Sequence, residues 1–336
     1  MCFGIFKLGA CCEMENLKEI KQWKDIDDGL WVNLLLGNGF SIGISDKFHY
    51  RTLFDNVKKL GIKMYPHAQD IFEKVDTVNF EEVLRIIYHA HVVNFYNLDA
   101  IKSLYLNVRK SLIEAVTASH ETYGGVPTLN INIQLRKFRS IYTTNYDLIP
   151  YWSIMKANSD SFCDFFWNKA SVFNLSDTSI TGSKSALYYL HGAIHLQESP
   201  DGYTFKVTAT QDTSISDIID ESGFKDTPLF ISEGKSEFKL RRIRSNDYLN
   251  FCYNRFAKAT GNFVVFGHSL SEDYDAHILT ALKDNNAEKI SVSVFSGMED
   301  KDKSKFINEI QTFFHGSKKK VEFFDSSSHP LGQVNT

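Results

Sequence analysis

The feature that most limits what this chain can fold into is a series of short apolar runs, each halted by a polar or glycine-bearing cluster. Trp31–Leu36 (WVNLLL) stops at Gly37-Asn38-Gly39, and Ser140–Thr144 stops at Asn145-Tyr146-Asp147. Leu187–Leu190 stops at His191-Gly192, and Asn262–Phe266 at Gly267-His268-Ser269-Leu270. Runs of this length bounded by such residues read as buried strands. Leu229–Ile231, Ile290–Phe295 and Val321–Phe324 complete the set. Between them lie segments with helix-period apolar faces, as in 80–87 and 104–116. The alternation predicts an α/β fold, a Rossmann-like parallel sheet with helices on both faces. Ligands of such sheets sit off the carboxyl ends of the strands, where the strand order reverses. The four clusters are therefore expected along one edge.

Residues 1–30 read as an amino-terminal helical extension, with Leu17, Ile20 and Trp23 at spacings of three. Residues 31–330 read as a single α/β domain. It carries a helical insertion or cap at about 50–125 and a polar, irregular insertion at about 159–186, and a basic helix is expected from Ser236 to about Phe256. No internal repeat is visible. Apolar residues make up 43% and charged residues 23%, which excludes a disordered chain. A net charge of −4 argues against a protein that coats nucleic acid. No run approaches the roughly 18 apolar residues that cross a bilayer, so no membrane partner is expected. Five cysteines with no C-x-x-C spacing exclude a zinc ribbon and argue for a reducing, cytoplasmic setting. Leu8-Gly9-Ala10-Cys11 looks like a lipoprotein box, but Lys7 interrupts the apolar run and Cys11 comes too early for a signal peptide. Met14 is the more ordinary start.

Each cluster has a chemical and a plain reading. Gly37 and Gly39 let the backbone turn tightly and approach a phosphate, or simply join a strand to a helix. Asn145 can orient a ribose hydroxyl or a water; equally, Asn145 or Asp147 can cap the next helix. His191 at a strand end can take a proton near neutral pH, although most lone histidines are structural. Gly267 and Ser269 can contact phosphate or ribose. Glu272, Asp273 and Asp275 suit a helix amino terminus better than a metal. Lys235, Lys239, Arg241, Arg242 and Arg244 read first as a solvated helix face, then as a subunit interface or a phosphate contact.

Taken together, GNGFS at 37–41, TTNYD at 143–147, LHG at 190–192 and FGHSL at 266–270 resemble the sirtuin-like NAD-consuming family, in its bacterial branch without a zinc ribbon. The resemblance spans most of the chain in the family's order. It implies that Gly37, Asn38, Gly39, Phe40 and Ser41 surround the NAD diphosphate, with Thr144 and Asp147 supporting the pocket. Asn145 would hold the nicotinamide ribose and the attacking water, and His191 would be the base on a ribose hydroxyl. Gly267, His268 and Ser269 would face the adenosine half. The implied activity is NAD hydrolysis to ADP-ribose and nicotinamide, with NAD as substrate and no metal. The implied role is antiphage defence by NAD depletion, in a homo-oligomer answering a partner or phage-derived trigger protein. Gly43-Ile44-Ser45-Asp46 is a shortened echo of the family's loop, with Ser for Pro, and Phe80-Glu81-Glu82 falls where the family's helical insertion covers the site. The missing ribbon speaks against peptide deacylation. The alternatives are a non-catalytic NAD or ADP-ribose sensor and an ADP-ribosyltransferase or deacylase.

Overall fold

A computed structural model describes residues 17–49, 52–156, 159–166, 168, 170–180, 182–208, 227–231 and 235–335. The reading of the amino-terminal residues 1–16 lies outside them.

The expected parallel sheet is present. Its strands are β1 (Ile20–Lys21), β2 (Trp31–Leu36), β3 (Ser140–Thr143), β4 (Phe162–Cys163), β5 (Ser185–Tyr189), β9 (Asn262–Phe266), β10 (Lys289–Val294) and β11 (Lys320–Asp325). They lie in the order β1-β11-β10-β9-β2-β3-β5-β4, with every pairing parallel. Stripped of the two-residue edge strands β1 and β4 and counted along the chain from β2, this is the Rossmann order 3-2-1-4-5-6. The order reverses at β2, so the carboxyl ends of β2, β3, β5 and β9 share one edge.

The central strands are buried on both faces. Leu34, Leu35 and Leu36 are fully enclosed, which is why the run reads as continuously apolar instead of alternating. The polar exception, Asn33, donates from Nδ2 to the Thr260 and Gly261 carbonyls at 2.8 and 3.1 Å.

A short helix α1 (Asn38–Ile42) follows β2. The cap is then built from α2 (Leu53–Lys59), α3 (Pro66–Val75), α4 (Phe80–Val93) and α5 (Leu98–Ser119). Its core is aromatic: Phe54 stacks on Phe72 at 4.6 Å, and Phe80 meets Phe72 edge-on at 5.0 Å. Phe80 thus faces the cap interior instead of a pocket. Next come α6 (Thr128–Leu135) and α7 (Ile149–Lys156).

Three elements depart from the sequence reading. Leu17 and Lys18 are helical, but Ile20–Lys21 extends the sheet beside β11 and Trp23–Asp25 is a 3-10 turn, so the expected helix does not run on through Trp23. Tertiary pairing overrides a weak three-residue spacing there. Second, β8 (Thr227–Phe230) does not enter the parallel sheet. It pairs antiparallel with β6 (Gly192–Glu198), itself paired with β7 (Thr204–Lys206), in the order β7-β6-β8. The turn out of β5 requires Gly192, which has φ +76°; a Cβ there would lie 2.1 Å from the Leu229 carbonyl oxygen. Third, the basic helix is two helices, α8 (Ser236–Arg244) and α9 (Asp247–Ala257), broken where Asn246 caps the second through the Leu249 amide. The chain closes with α10 (Glu272–Asp284) and α11 (Asp300–Phe314). No helix among the described residues is long and apolar enough to cross a membrane.

Candidate functional site

The strand-end clusters do meet on the carboxyl edge, in two linked polar networks. Register sets the first: β2 pairs with β3 at Leu36–Thr143 and with β9 at Leu36–Phe266. The Gly37 loop is therefore flanked by the TTNYD and GHS segments.

Asn145 is 5% exposed. Its Nδ2 donates to Ser41 Oγ at 2.8 Å and to the Gly37 carbonyl at 3.1 Å. Ser41 Oγ in turn donates to Asp147 Oδ2 at 2.5 Å, and Asp147 Oδ1 accepts the Ile149 amide at 2.8 Å. The carboxamide is thus fixed through its nitrogen, while Asn145 Oδ1 is buried without a hydrogen-bond partner among the described residues. Such an atom normally finds a partner, in protein, water or ligand. Asp147 also joins the helix-capping role foreseen for it to a place in this network.

His120, which carried no sequence signal, stands behind Asp147. Its Nε2 accepts the Leu148 amide at 2.9 Å and its Nδ1 lies 2.8 Å from the Glu121 carbonyl, so the neutral ring is the form that satisfies both. Burial pushes the Asp147 carboxyl up and the imidazole down, favouring the uncharged form of each.

The glycines have a structural cause. A Cβ on Gly37 would lie 2.5 Å from His268 Cα, one on Gly39 2.8 Å from the Gly267 carbonyl oxygen, and one on Gly267, at φ +69°, 2.2 Å from the Phe40 amide nitrogen. The two loops interlock backbone to backbone. The Gly37 amide donates to the Phe266 carbonyl at 3.0 Å, Gly39 to Gly267 at 2.7 Å and Phe40 to Gly37 at 2.9 Å. In this structure those amides are committed to the chain itself, not free for a diphosphate. Asn38 and Ser269 are exposed at this edge, Thr144 is half-buried and Phe40 belongs to the core.

The second network surrounds His191, at the end of β5. Thr143 pairs with Tyr189, which puts Asn145 and His191 at matching levels on adjacent strands. His191 Nε2 lies 2.9 Å from His277 Nε2. His277 Nδ1 meets Ser236 Oγ at 2.8 Å, and the same hydroxyl accepts the His277 amide at 2.9 Å. His268 accepts the Leu270 amide at Nδ1 and turns Nε2 toward Asp275 Oδ2, 4.0 Å away. Asp275 Oδ1 holds the Lys239 ammonium at 2.9 Å.

Asp275 lies in the first turn of α10 as expected but is not solvated, and Lys239 is not on a solvated face; the pair is buried. Arg242 is likewise bound internally, to Glu198 at 2.6 Å. The other members of these groups, Glu272, Asp273, Lys235, Arg241 and Arg244, are exposed as expected.

Burial lowers all three imidazoles of this network, His277 to about 4 and His191 well below its ordinary value, with the Lys239 charge adding to the effect. Burial alone would raise Asp275. The positive groups around it outweigh that and hold it ionised, and with the imidazoles neutral Lys239 is the charge that does so.

His191 Nε2, His277 Nε2 and an Asp275 carboxylate oxygen are suited to metal coordination: the ligand atoms of these three residues all lie within 4.8 Å of one another. Sequence spacing concealed the group, because Asp275 and His277 are two apart on a helix and such residues ordinarily face different ways.

A family profile described as Domain of unknown function (DUF4917) matches residues 34–331, from within β2 to the 3-10 turn after β11. No curated protein matches the chain.

Proposed function

We propose that this chain, which belongs to the DUF4917 family, hydrolyses NAD to ADP-ribose and nicotinamide at the edge shared by Asn145 and His191. The observation that carries the reading is Asn145: its amide nitrogen is tied down by Ser41 and Gly37, and its buried Oδ1 is left for something outside the chain. A ribose hydroxyl or an attacking water supplies the missing donor. The Rossmann strand order and the sequence resemblance support a dinucleotide as the ligand.

In this reading the bond from the ribose anomeric carbon to nicotinamide breaks, and its electron pair leaves with the neutral base. The water oxygen bonds to the anomeric carbon and gives up one proton. His191 accepts a proton through the ring nitrogen not engaged by His277, and Asp275 steadies the charge that results. Removing a positioned polar group of this kind costs on the order of a hundredfold in rate.

Nicotinamide release from NAD, followed for wild type, Asn145→Ala and His191→Ala, tests it. Turnover by the wild type and its loss in both variants is expected. A double variant that consumes NAD at the wild-type rate refutes the assignment. Antiphage NAD depletion, with a trigger and self-association, is the role the resemblance proposes for this activity.

A second reading, an NAD or ADP-ribose sensor, is favoured by one observation. Burial and the Lys239 charge make His191 a weak base at neutral pH. Tight NAD binding with no turnover in any assembly state would select it.

A further inference from the structure

We propose that His191, His277 and Asp275 form a binding site for an imidazole-preferring transition-metal ion, zinc(II) foremost, and that filling it silences the site. The silencing rests on the reading of His191 above; the metal site does not.

Three features of the local structure make these residues a constructed cluster. The first is backbone geometry. In an unbroken helix, residues two apart point roughly 200° from each other about the axis. Asp275 breaks α10 with φ −136° and ψ 29°, and the break brings its carboxylate and the His277 ring into one group with His191. The second is orientation from behind. Ser236 Oγ engages His277 Nδ1 and its own backbone amide, and Tyr253 donates to the His277 carbonyl at 3.0 Å. Such support from a second layer fixes which nitrogen a ligating histidine presents. The third is distance. A tetrahedral zinc ion at about 2.0–2.1 Å from each imidazole nitrogen separates two of them by roughly 3.3 Å. The Nε2 atoms stand 2.9 Å apart, so a few tenths of an ångström admit the ion.

The charge balance sets the kind of ion. Lys239 already offsets the Asp275 carboxylate, so the ion gains little from net attraction and depends on its bonds to nitrogen. That favours zinc, copper, nickel or cobalt over magnesium or calcium, which want oxygen. An ion bound to His191 Nε2 fixes the ring and adds positive charge beside it, so the imidazole no longer accepts the proton that hydrolysis releases.

The test uses the full chain, stripped of metal and dialysed against zinc(II), with bound zinc counted and a parallel cobalt(II) sample read by its visible spectrum. Cys2, Cys11 and Cys12 are thiols that can bind zinc on their own, so the decisive quantity is the difference between wild type and His277→Gln, repeated with Asp275→Asn. Each protein is first checked by circular dichroism. The expected result is one more zinc per chain in wild type and at least a tenfold weaker site in each variant. Cobalt should show tetrahedral bands that persist after the native protein is treated with an alkylating reagent, and magnesium should not be retained.

Wild type holding no more zinc than both folded variants overturns the site. Zinc that is held while NAD turnover continues unchanged overturns the silencing. A metal-free wild type with no turnover counts against the hydrolase reading alone, because the zinc count stands by itself.

Discussion

Mild acid is expected to destabilise this protein well above the pH at which carboxylates titrate, because six histidines are buried in neutral form. His120, His191, His195, His268, His277 and His329 all have pKa values lowered chiefly by burial, His277 to about 4 and His329 to about 3. Each is free to protonate near pH 6.5 once the chain unfolds. Since the folded values lie below the unfolded one, the unfolded state binds more protons, and stability present above about pH 6.5 drains away as the pH falls. One unit lower, at about pH 5.5, a histidine held as low as His277 or His329 costs RT ln 11, or about 1.4 kcal/mol, so these two cost about 3 kcal/mol and the other four add to the loss in the same direction. Asp147 works in the opposite sense, since burial raises its carboxyl, but it is one group against six. A domain holds only about 5–15 kcal/mol in all. Urea unfolding followed by tryptophan fluorescence at about pH 7.5, 6.5 and 5.5 measures the loss directly. His329→Phe, which keeps a ring against Trp23 and Phe266, should flatten the dependence by about one proton. A stability that stays level from pH 7.5 to 5.5 and falls only in the carboxylate range would refute the reasoning.

Gly267→Ala should destabilise the fold by about 2 kcal/mol or more, read as a lowered Tm, because it meets both a left-handed φ and the Phe40 amide 2.2 Å away. Gly29→Ala, at a similar φ but with open space around it, should cost only about 1 kcal/mol. Lys239→Met should cost about 3–5 kcal/mol by leaving the Asp275 carboxylate buried and unpaired, and the double variant with Asp275→Leu should recover much of that loss. Equal stabilities for the single and double variants would show that the ion pair carries no such penalty.

Two strands that a glycine cluster terminates were legible to the residue, Trp31–Leu36 and Asn262–Phe266, while the run ended by Asn145 stops one residue earlier than expected, at Thr143. Local composition defined them, since an unbroken apolar run and a hard stop both lie in neighbouring residues. Ile20–Lys21 was not legible, because two residues added to β11 depend on a partner three hundred positions away. Gly192–Glu198 was missed although Ile194 and Leu196 alternate with His195 and Gln197, because it follows Leu187–Leu190 with only a tight turn at His191-Gly192 between them, and its antiparallel partners lie elsewhere in the chain. Asn145 and His191 stood out because strand ends are short, polar and flanked by apolar residues. His277, Ser236 and Lys239 lie within helices, where a polar residue is unremarkable, and only the irregular backbone at Asp275 draws them together.

The same burial that makes the site orderly also limits what it does at rest. Asn145 is 5% exposed and His191 3%, so a molecule the size of a dinucleotide reaches both only if their cover moves. That cover is identifiable: Tyr146, next to Asn145, stacks on Phe230 at 5.0 Å, and Phe230 ends β8, against which α4 of the cap packs. A stacked aromatic pair contributes about 0.5–1.5 kcal/mol beyond its buried area, far less than the stability of a domain. Opening at β8 would also break its pairing with β6 and the 2.7 Å bond from the Ile231 amide to the His191 carbonyl, whereas the Ser41–Asn145–Asp147 network would keep its geometry, since none of its hydrogen bonds runs to β8.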